Sequence, residues 1–454
     1  MKDIFVQIAS YRDPQLIPTL KDMVEKAKNP EALKITICWQ HSDDESTELF
    51  MDAGFDIQGF DKDSLYGYNV IKTKLGETEV SLIDVPHMQS KGACWARNYI
   101  QQFYNGEKYT IQLDSHHRFV EDWDTVCIDM LEGLRAKSPK PVLTAYIPSF
   151  DPENDPAGRD PNPWKMDFDR FIPEGAVFFR PSAIEDHKNL TEPVRSRFYS
   201  AHFCFADGSF AVEVQHDPEY FFHGEEISIA ARAFTHGYDL YHPHKLIAWH
   251  EYTRKNRTKV WDDHTTDKKK SDGLDLDWCE RNNICHRRNR ILFGMDGENP
   301  YSIDFGKYGF GKERTISEYE RYAGISFIYR GVQQRVVDRK DPVWPLVDVY
   351  ATEEEWRKSM TISHDLRICV HKNEYGEPLD DYDFCYIAAH DADGEIYRKD
   401  LNAAEFKGHL KHDWLDIRLI FLSDRTPTFY KVWPHSLSKG WLPQIDKPVD
   451  KHPA

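Results

Sequence analysis

Two groups of metal-binding side chains stand at the ends of predicted strands. Asp114 and His116 follow the apolar run Tyr109–Leu113, and His250 follows a second apolar run, Leu246–Trp249. Alternate residues leaving a strand point in the same direction, so Asp114 and His116 can share one ligand. A carboxylate oxygen and imidazole nitrogens suit a borderline divalent cation such as Mn²⁺. The three residues are predicted to hold one metal ion, the alternative for His250 being a buried histidine bonded to backbone.

Two adjacent acids, Glu225 and Glu226, open a predicted helix over 225–236. The helix dipole favours acids at this position, so capping alone would explain them. However, Gly224 before them permits close backbone approach, and the aromatic pair Phe221-Phe222 lies just upstream. Aromatic faces beside carboxylates favour the binding of sugar rings and their hydroxyls.

Arg97 lies on a predicted helix, Gly92–Tyr104, that leads into the strand ending at Asp114. An ordinary surface ion pair is one interpretation of this arginine. The other is a contact to phosphate groups or to the carboxylates of the metal site.

The elements that must position these residues alternate between strands and helices. This rhythm predicts βαβ units and a largely parallel sheet, in which ligands bind outside the carboxyl ends of the strands. The predicted strands are Ile4–Ala9, Leu33–Trp39, Glu79–Val85 and Tyr109–Leu113. Polar clusters follow three of them: Ser10–Asp13, Gln40–Asp44 and Asp114–Arg118.

Local patterns between these elements give further expectations. Asp13 is predicted to cap a helix that begins at Pro14. Residues 150–175 are rich in Pro, Asp and Asn and are predicted to form a long loop. Asp207-Gly208 is predicted to turn a hairpin between Phe203–Ala206 and Ser209–Val214. Residues 253–272 are strongly charged, which is typical of a solvated segment.

After about Val343 the pattern changes to short alternating segments separated by turns. Such segments predict a small β-sandwich. We therefore expect a domain break between Arg330 and Tyr350, with a first domain over 1–335 and a second over 345–450. The length of 454 residues agrees with two domains, because single cores stop growing near about 250–300 residues.

The composition excludes several classes of protein. With 58 basic and 76 acidic residues the net charge is −18, which disfavours binding to nucleic acid or to anionic membranes. No apolar run is long enough to span a bilayer and no signal-peptide pattern precedes residue 15, so a cytoplasmic location is predicted. The eight scattered cysteines are then expected to be reduced thiols. Cys279, Cys285 and His286 could form part of a zinc site, but their spacing favours ordinary thiols.

Taken in order, six motifs resemble one known family. They are QIASYRDP from residue 7, KGACWAR from 91, QLDSHHRF from 112, HGEEI from 223, GYDLYHP from 237 and WHEYTR from 249. They resemble the GlcNAc-transferase family of glycosyltransferases, family sixty, across roughly residues 3–330. That family includes cytosolic enzymes that place α-linked GlcNAc on hydroxyproline. The resemblance implies a GT-A-type, Rossmann-like fold, UDP-GlcNAc as the donor, a divalent metal and retention of anomeric configuration.

The resemblance also implies roles for individual residues. In mucin-type GalNAc transferases, which have a similar Asp-Ser-His, manganese is held by an Asp and two His. Those roles fall here on Asp114, His116 and His250, with Mn²⁺ or Mg²⁺ as cofactor. Glu225 and Glu226 are the predicted catalytic residues, gripping hydroxyls of the donor sugar or of the acceptor. The predicted contacts to the nucleotide-sugar are Ser10, Tyr11, Arg12, Gln40, Asp43, Arg97 and Asp114.

The predicted function is a retaining, metal-dependent transfer of a sugar, most simply GlcNAc, to a hydroxyl of a protein or glycan. Two alternatives belong to other classes. One is a glycan-binding protein without activity, which the C-terminal β-sandwich would support. The other is a metal-dependent phosphoester or pyrophosphate hydrolase, which would need a second metal cluster.

Overall fold

The computed structural model describes residues 2–255, 257–345, 350–374 and 381–449. Its N-terminal strands are β1 Ile4–Tyr11, β2 Leu33–His41, β3 Asp56–Lys62, β4 Asn69–Leu75, β5 Thr78–Pro86, β6 Tyr109–Asp114, β7 His117–Phe119, β8 Pro141–Thr144, β9 Trp164–Phe171, β10 Val177–Ala183, β11 Val194–Arg195, β12 Phe203–Asp207, β13 Asp239–His242 and β14 Ala248–His250. The C-terminal strands are β15 Ile325–Ser326, β16 Gly331–Gln333, β17 Met360–His371, β18 Tyr382–Asp391, β19 Gly394–Asn402, β20 Leu410–Lys411, β21 Trp414–Ser423, β22 Phe429–Ser436, β23 Gly440–Trp441 and β24 Ile445–Pro448.

The helices lie mostly between these strands. They are α1 Leu16–Lys26, α2 Glu48–Asp52, α3 Ala93–Gln101, α4 Trp123–Gly133, α5 Phe210–Glu213, α6 Glu225–Thr235, α7 Val260–Asp263, α8 Thr266–Asp272, α9 Trp278–Phe293, α10 Ile316–Ala323, α11 Gln334–Val337, α12 Glu353–Lys358 and α13 Ala403–His409. No helix among the described residues is both long and apolar enough to cross a bilayer.

A ten-stranded mixed sheet forms the centre of the N-terminal part. Its order is β11-β13-β8-β12-β6-β1-β2-β5-β4-β3, and the pairs β1/β2, β1/β6, β2/β5 and β8/β13 are parallel. Helices α1 and α4 pack on one face of the sheet, and α3 and α6 pack on the other. Because both faces are covered, β1 is a nearly continuous buried run. The predicted α/β class is confirmed.

The C-terminal strands form two antiparallel sheets around a core of their own. One sheet has the order β15-β16-β17-β21-β20, and the other contains β19-β18-β22-β23 with β24 beside β22. Buried residues of both sheets, such as Ile368 and Ile387, pack together. This arrangement confirms the small C-terminal β domain.

Contacts join the C-terminal sheets to the first domain. Strand β16, which precedes residue 335, pairs with β17. The backbone N–H of Phe171 donates to Ser363 Oγ at 3.2 Å, and Arg170 on β9 pairs with the buried Asp365 on β17 at 3.2 Å. The division into 1–335 and 345–450 remains a prediction.

Two local expectations about backbone structure are wrong. Residues 203–207 are a strand, but 210–213 are helical, so Asp207-Gly208 turns no hairpin. Gly208 instead allows close approach, since a Cβ there would lie 1.9 Å from the carbonyl oxygen of Glu107. Within the expected loop 150–175, residues 164–171 form β9, in which Met166, Asp167 and Phe168 are buried.

Candidate active site

A pocket of about 140 Å³ opens at the carboxyl ends of β1, β2 and β6. Its floor includes the strand-end residues Tyr11, Gln40 and Asp114. Parallel strands place these residues together although they are distant in sequence. A cavity therefore lies where a ligand site is predicted in an α/β sheet, outside the carboxyl ends of the parallel strands.

The three predicted metal ligands meet at this pocket. Their ligand atoms all lie within 4.8 Å of one another. Oδ2 of Asp114 is 3.7 Å from Nε2 of His116 and 3.5 Å from Nε2 of His250. His116 extends from the turn after β6, whereas His250 ends β14, which pairs with β7 just beyond that turn. Two segments 134 residues apart thus converge through one short antiparallel pair.

The chemistry of these side chains fits a divalent cation. Both ring nitrogens of His250 are buried without a hydrogen-bond partner in the described residues. Burial lowers the pKa of His250 well below its usual value, so the ring is neutral and able to donate a lone pair. Burial alone would raise the pKa of Asp114, but interaction with His250 and the charge of Arg97 hold it well below the usual range. A carboxylate and two neutral imidazoles are suitable ligands for Mn²⁺.

Asp13 orients one of these ligands, a role that the sequence prediction missed. Its Oδ2 accepts hydrogen bonds from His116 Nδ1 at 2.7 Å and from Ser115 Oγ at 2.6 Å. Nδ1 of His116 is therefore engaged, and Nε2 is directed toward Asp114 and His250. Carboxylates that hold a histidine in this way fix the tautomer of a metal ligand.

The prediction that Asp13 is the N-cap residue of the first helix is wrong. Helix α1 begins at Leu16, and its N-cap residue Gln15 makes no side-chain cap. One carboxylate oxygen of Asp13 does accept from the backbone N–H of Gln15 at 2.9 Å. The other oxygen binds His116 at the proposed metal site. His116 is 103 residues away, and no local sequence pattern indicates this contact.

Arg97 is a buried cation between two carboxylates. Its Nη2 is 2.9 Å from Asp114 Oδ1, and its Nη1 is 3.7 Å from Glu225 Oε1. Arg97 also lines the pocket, and its Nε and Nη1 have no hydrogen-bond partner within the described chain. A positive group with free donors at this place can bind an anionic ligand.

Glu225 and Glu226 have different surroundings although they are adjacent. Glu226 accepts from the Tyr146 hydroxyl at 2.8 Å and from the backbone N–H of Ala201 at 2.9 Å. Glu225 Oε1 lies 3.7 Å from Arg97 Nη1, and neither carboxylate lines the 140 Å³ pocket. Burial raises the pKa of both groups. Their predicted contacts to sugar hydroxyls remain predictions.

The other predicted nucleotide contacts are divided between the pocket and its surroundings. Tyr11 and Gln40 line the pocket, but Tyr11 and Arg12 also bond through their side chains to Asp263, at 2.9 and 2.8 Å. The Oγ of Ser10 is buried and lacks a partner among the described residues. Asp43 is exposed and does not line the pocket.

The charged segment after β14 covers the pocket instead of extending into solvent. Arg254 and the stretch 257–261 line the cavity, and Asn256 lies outside the described residues. Arg257 contacts both His116 and Asp13, the latter at 3.1 Å. Trp261 packs edge-on against Phe222, with ring centroids 5.6 Å apart. The sequence prediction did not place this segment at the pocket, because so many charged residues are typical of a solvated segment.

The cysteine-containing candidate does not assemble a metal site. Cys285 is buried and its Sγ donates to the carbonyl oxygen of His223 at 2.9 Å, while Cys279 is exposed. In the described part of the chain, three or more metal-ligating side chains come together only at Asp114, His116 and His250.

Comparison with known proteins gives one family. The family model described as Glycosyltransferase (GlcNAc) matches residues 3–329. No curated protein sequence matches the chain. Numerous solved structures are distantly similar, and three of them hold different nucleotide ligands. GalNAc-T7 with UDP, GalNAc and Mn²⁺ is 14% identical, with a TM-score of 0.40 over 71% of this chain and 55% of that chain.

The other two structures are similarly remote. TarS 1–349 from S. aureus with UDP-GlcNAc is 11% identical, with a TM-score of 0.32 over 74% of this chain and 84% of that chain. Mannosyltransferase PcManGT from Pyrobaculum calidifontis with GDP-Man and Mn²⁺ is 8% identical, with a TM-score of 0.35 over 64% of this chain and 69% of that chain.

Proposed function

Because the chain belongs to the GlcNAc family of glycosyltransferases, we propose that it transfers GlcNAc from UDP-GlcNAc to a hydroxyl of a protein or glycan, with retention of configuration. The observation that carries the proposal is the convergence of Asp114, His116 and His250 in a pocket at the strand ends. A divalent metal, Mn²⁺ or Mg²⁺, is the proposed cofactor.

The residues of the site fit such a metal. Asp114 supplies an ionised oxygen, and His116 and His250 supply nitrogens that point to the same place. When bound there, the metal supplies positive charge that stabilises a diphosphate leaving group. The unpartnered ring nitrogens of the buried His250 support this assignment, since a buried polar atom otherwise costs free energy.

Arg97 adds a second positive group toward the donor. It lines the pocket, and its guanidinium is held by Asp114 on one side and by Glu225 on the other. Because the guanidinium is already oriented before the substrate binds, no free energy is needed to orient it during the reaction. We assign Glu225 a positioning role that acts through Arg97, and Glu226 a role in holding the chain at Ala201.

The proposed transfer requires no nucleophile from the protein. The bond between C1 of the sugar and the diphosphate oxygen breaks, and a bond forms between C1 and the acceptor oxygen on the same face. The departing phosphate takes the proton of the acceptor hydroxyl. The residues of the chain therefore bind and orient the donor and stabilise the leaving charge.

The test combines metal removal with one ligand substitution. We expect purified protein with Mn²⁺ and an acceptor that carries a hydroxyl group to release UDP from UDP-GlcNAc faster than without the acceptor. UDP release should stop after EDTA and recover when Mn²⁺ is restored. His250→Ala should lower this turnover by about a hundredfold or more, which is roughly 2.7 kcal/mol in transition-state stabilisation. His236→Ala, at the end of α6 and outside the pocket, is the control and should keep normal turnover.

Thermal stability separates the alternatives. UDP at about 100 times its Kd should stabilise the folded protein by about 2.7 kcal/mol, and only when Mn²⁺ is present. A glycan-binding protein without activity would show no donor effect, and a hydrolase would consume UDP-GlcNAc equally well without any acceptor. Metal-dependent turnover that is unchanged in His250→Ala would contradict the proposed site.

A cytoplasmic location is also proposed. All eight cysteines are free thiols in the structure, which agrees with a reducing compartment. The cytosolic members of the resembled family support the same location.

A further inference from the structure

The small C-terminal β domain carries aromatic side chains that the proposed reaction does not use. Its sheet of β19, β18, β22 and β23 packs one face into the domain core, through residues such as Ile387 and Val432. The opposite face carries four rings: Phe384, Tyr386, Trp433 and Trp441. None of these four rings is buried, and Trp441 is 48% exposed, so they are accessible to a ligand.

Strand pairing places the four rings side by side. Tyr386 pairs with Trp433, and His435 pairs with both Phe384 and Trp441. Directly paired residues project from the same face of a sheet, so the rings form two neighbouring rows across three strands. The ring centroid of Trp441 lies 4.5 Å from that of Trp433 and 5.8 Å from that of Phe384. We call this group, Phe384, Tyr386, Trp433 and Trp441, the aromatic face.

Hydrogen bonds fix two of these rings. Nε1 of Trp433 donates to the carbonyl oxygen of Leu442 at 2.7 Å, and the Tyr386 hydroxyl donates to Glu395 at 2.7 Å. Rings that are held before a ligand arrives lose little conformational entropy when it binds. Contiguous exposed rings of this kind are typical of a binding surface.

The charged side chains beside the aromatic face are paired with one another. Arg398 contacts Asp400 at 2.7 Å, and Lys431 contacts Asp446 at 3.8 Å. Strand pairing puts all four on the same side of the sheet as the rings. Because both cations are already paired and the chain has a net charge of −18, a polyanion such as nucleic acid is disfavoured. A neutral ligand with hydroxyl groups can accept from these cations and donate to these carboxylates.

The area of the aromatic face is small for a protein interface. Four aromatic side chains of about 150–250 Å² each, none more than 48% exposed, leave at most about 500 Å² accessible. A stable protein interface covers about 800 Å² on each partner. A sugar ring fits the smaller area, because its C–H groups pack on an aromatic ring while its hydroxyls point outward.

We infer that the aromatic face is a binding site for a neutral glycan, with Trp433 and Trp441 packed against its pyranose rings. Arg398 and Asp400 would bind the hydroxyls at the edge of the glycan. The site lies in the C-terminal β domain, so it requires neither the proposed metal ion nor the donor.

The binding test uses the full chain and two neutral hexasaccharides, cellohexaose and chitohexaose, in titration calorimetry. We expect at least one of them to bind with a Kd below about 1 mM, and Trp441→Ala to weaken this binding by about tenfold or more. Trp441→Leu, which keeps an apolar side chain without a ring, should show the same loss. Both variants should melt within about 2 °C of the wild type, since Trp441 is exposed.

The matched control is an exposed tryptophan on the other sheet of the same domain. Trp414 begins β21, is 44% exposed and contacts the ring of His371. Trp414→Ala should keep wild-type glycan affinity. Binding of neither hexasaccharide, unchanged affinity in Trp441→Leu, or tighter binding of a single-stranded oligonucleotide or a polygalacturonate hexamer overturns the inference.

Metal removal separates this inference from the proposed function. Glycan binding at the aromatic face should persist in EDTA and in His250→Ala, and UDP-GlcNAc should not compete with it. Binding that is lost in Trp441→Leu therefore supports the site even if the chain shows no transferase turnover. Glycan binding that requires Mn²⁺ belongs to the first pocket and contradicts the inference. A dimer in sedimentation that Trp441→Ala dissociates also contradicts it, because a second copy of the chain would then cover the rings.

Discussion

At the scale of single residues, burial and neighbours give two identical side chains different roles. Glu225 and Glu226 both open α6, but Glu225 is buried and Glu226 is half-buried. Glu226 accepts from the Tyr146 hydroxyl and from the backbone N–H of Ala201, so it joins α6 to the chain just before β12. Glu225 faces the guanidinium of Arg97, which in turn lines the pocket. The sequence shows a Glu-Glu pair, and only the neighbours distinguish its members.

Substitution by glutamine tests this difference, and each variant is the control for the other. Glu225→Gln should lower kcat/KM for the donor by about ten- to a hundredfold, because Arg97 loses one of the two carboxylates that orient it. Its melting temperature should change little. Glu226→Gln should cost about 0.5–1.5 kcal/mol in unfolding free energy, since one hydrogen bond is lost, and should keep near-normal turnover. Equal kinetic losses in both variants would show that the pair acts as one unit.

The sequence predicts the proposed metal ligands better than the residues that contact them. Asp114, His116 and His250 can be proposed from the sequence because each follows an apolar run, although β14, which carries His250, pairs with β7 outside the ten-stranded sheet. Asp13 and Arg257 cannot, because their contacts to His116 span 103 and 141 residues and depend on how separate segments pack. An aspartate before a proline also has a sufficient local explanation as a helix cap.

At the scale of elements, the predicted α/β domain with a smaller β domain is confirmed. The long periodic elements, such as β1 and α6, agree closely with the sequence pattern. The segment 253–272 differs, because its short helices α7 and α8 are held by long-range contacts. Asp263 binds Arg12, Tyr11 and Lys268, all within 2.9 Å. Such contacts convert a charged stretch into a cover over the pocket.

The start of α3 gives a prediction at this scale. Gly92 has φ 108°, and an added Cβ would lie 2.6 Å from Cδ2 of Phe221. Gly106 also has positive φ, at 89°, but has open space around the same position. Gly106→Ala should cost about 1–2 kcal/mol from backbone strain alone. Gly92→Ala should cost at least about 2 kcal/mol more in urea unfolding, because the methyl group also displaces Phe221. Equal losses would mean that Phe221 moves freely.

At the scale of the whole molecule, a buried ion pair joins the two parts of the chain. Asp365 on β17 is 1% exposed and accepts from Arg170 on β9 at 3.2 Å and from Arg418 on β21 at 2.9 Å. Glu174 adds a further contact to Arg418 at 3.6 Å. The C-terminal sheets are therefore attached to the β9–β10 pair, of which the sequence prediction had treated β9 as part of a loop.

Loss of this ion pair should weaken the attachment. Asp365→Asn should lower the unfolding free energy by about 1–3 kcal/mol, because two guanidinium groups lose their shared carboxylate. In calorimetry the C-terminal sheets should then unfold at a lower temperature than the rest. Asp416→Asn, in the exposed pair with Arg367, is the control and should cost less than about 1 kcal/mol. Matching losses in the two variants would show that Asp365 does not join the domains.

Gly92 and Phe221 constrain how this protein can diversify. Gly92 lines the pocket at the strand ends, and a side chain added there would meet Phe221. A change at either position therefore disturbs the packing at the start of α3 beside the pocket. Both positions should stay under stabilising selection in descendants of this chain, while an exposed residue outside the pocket, such as Asp43, carries no such penalty.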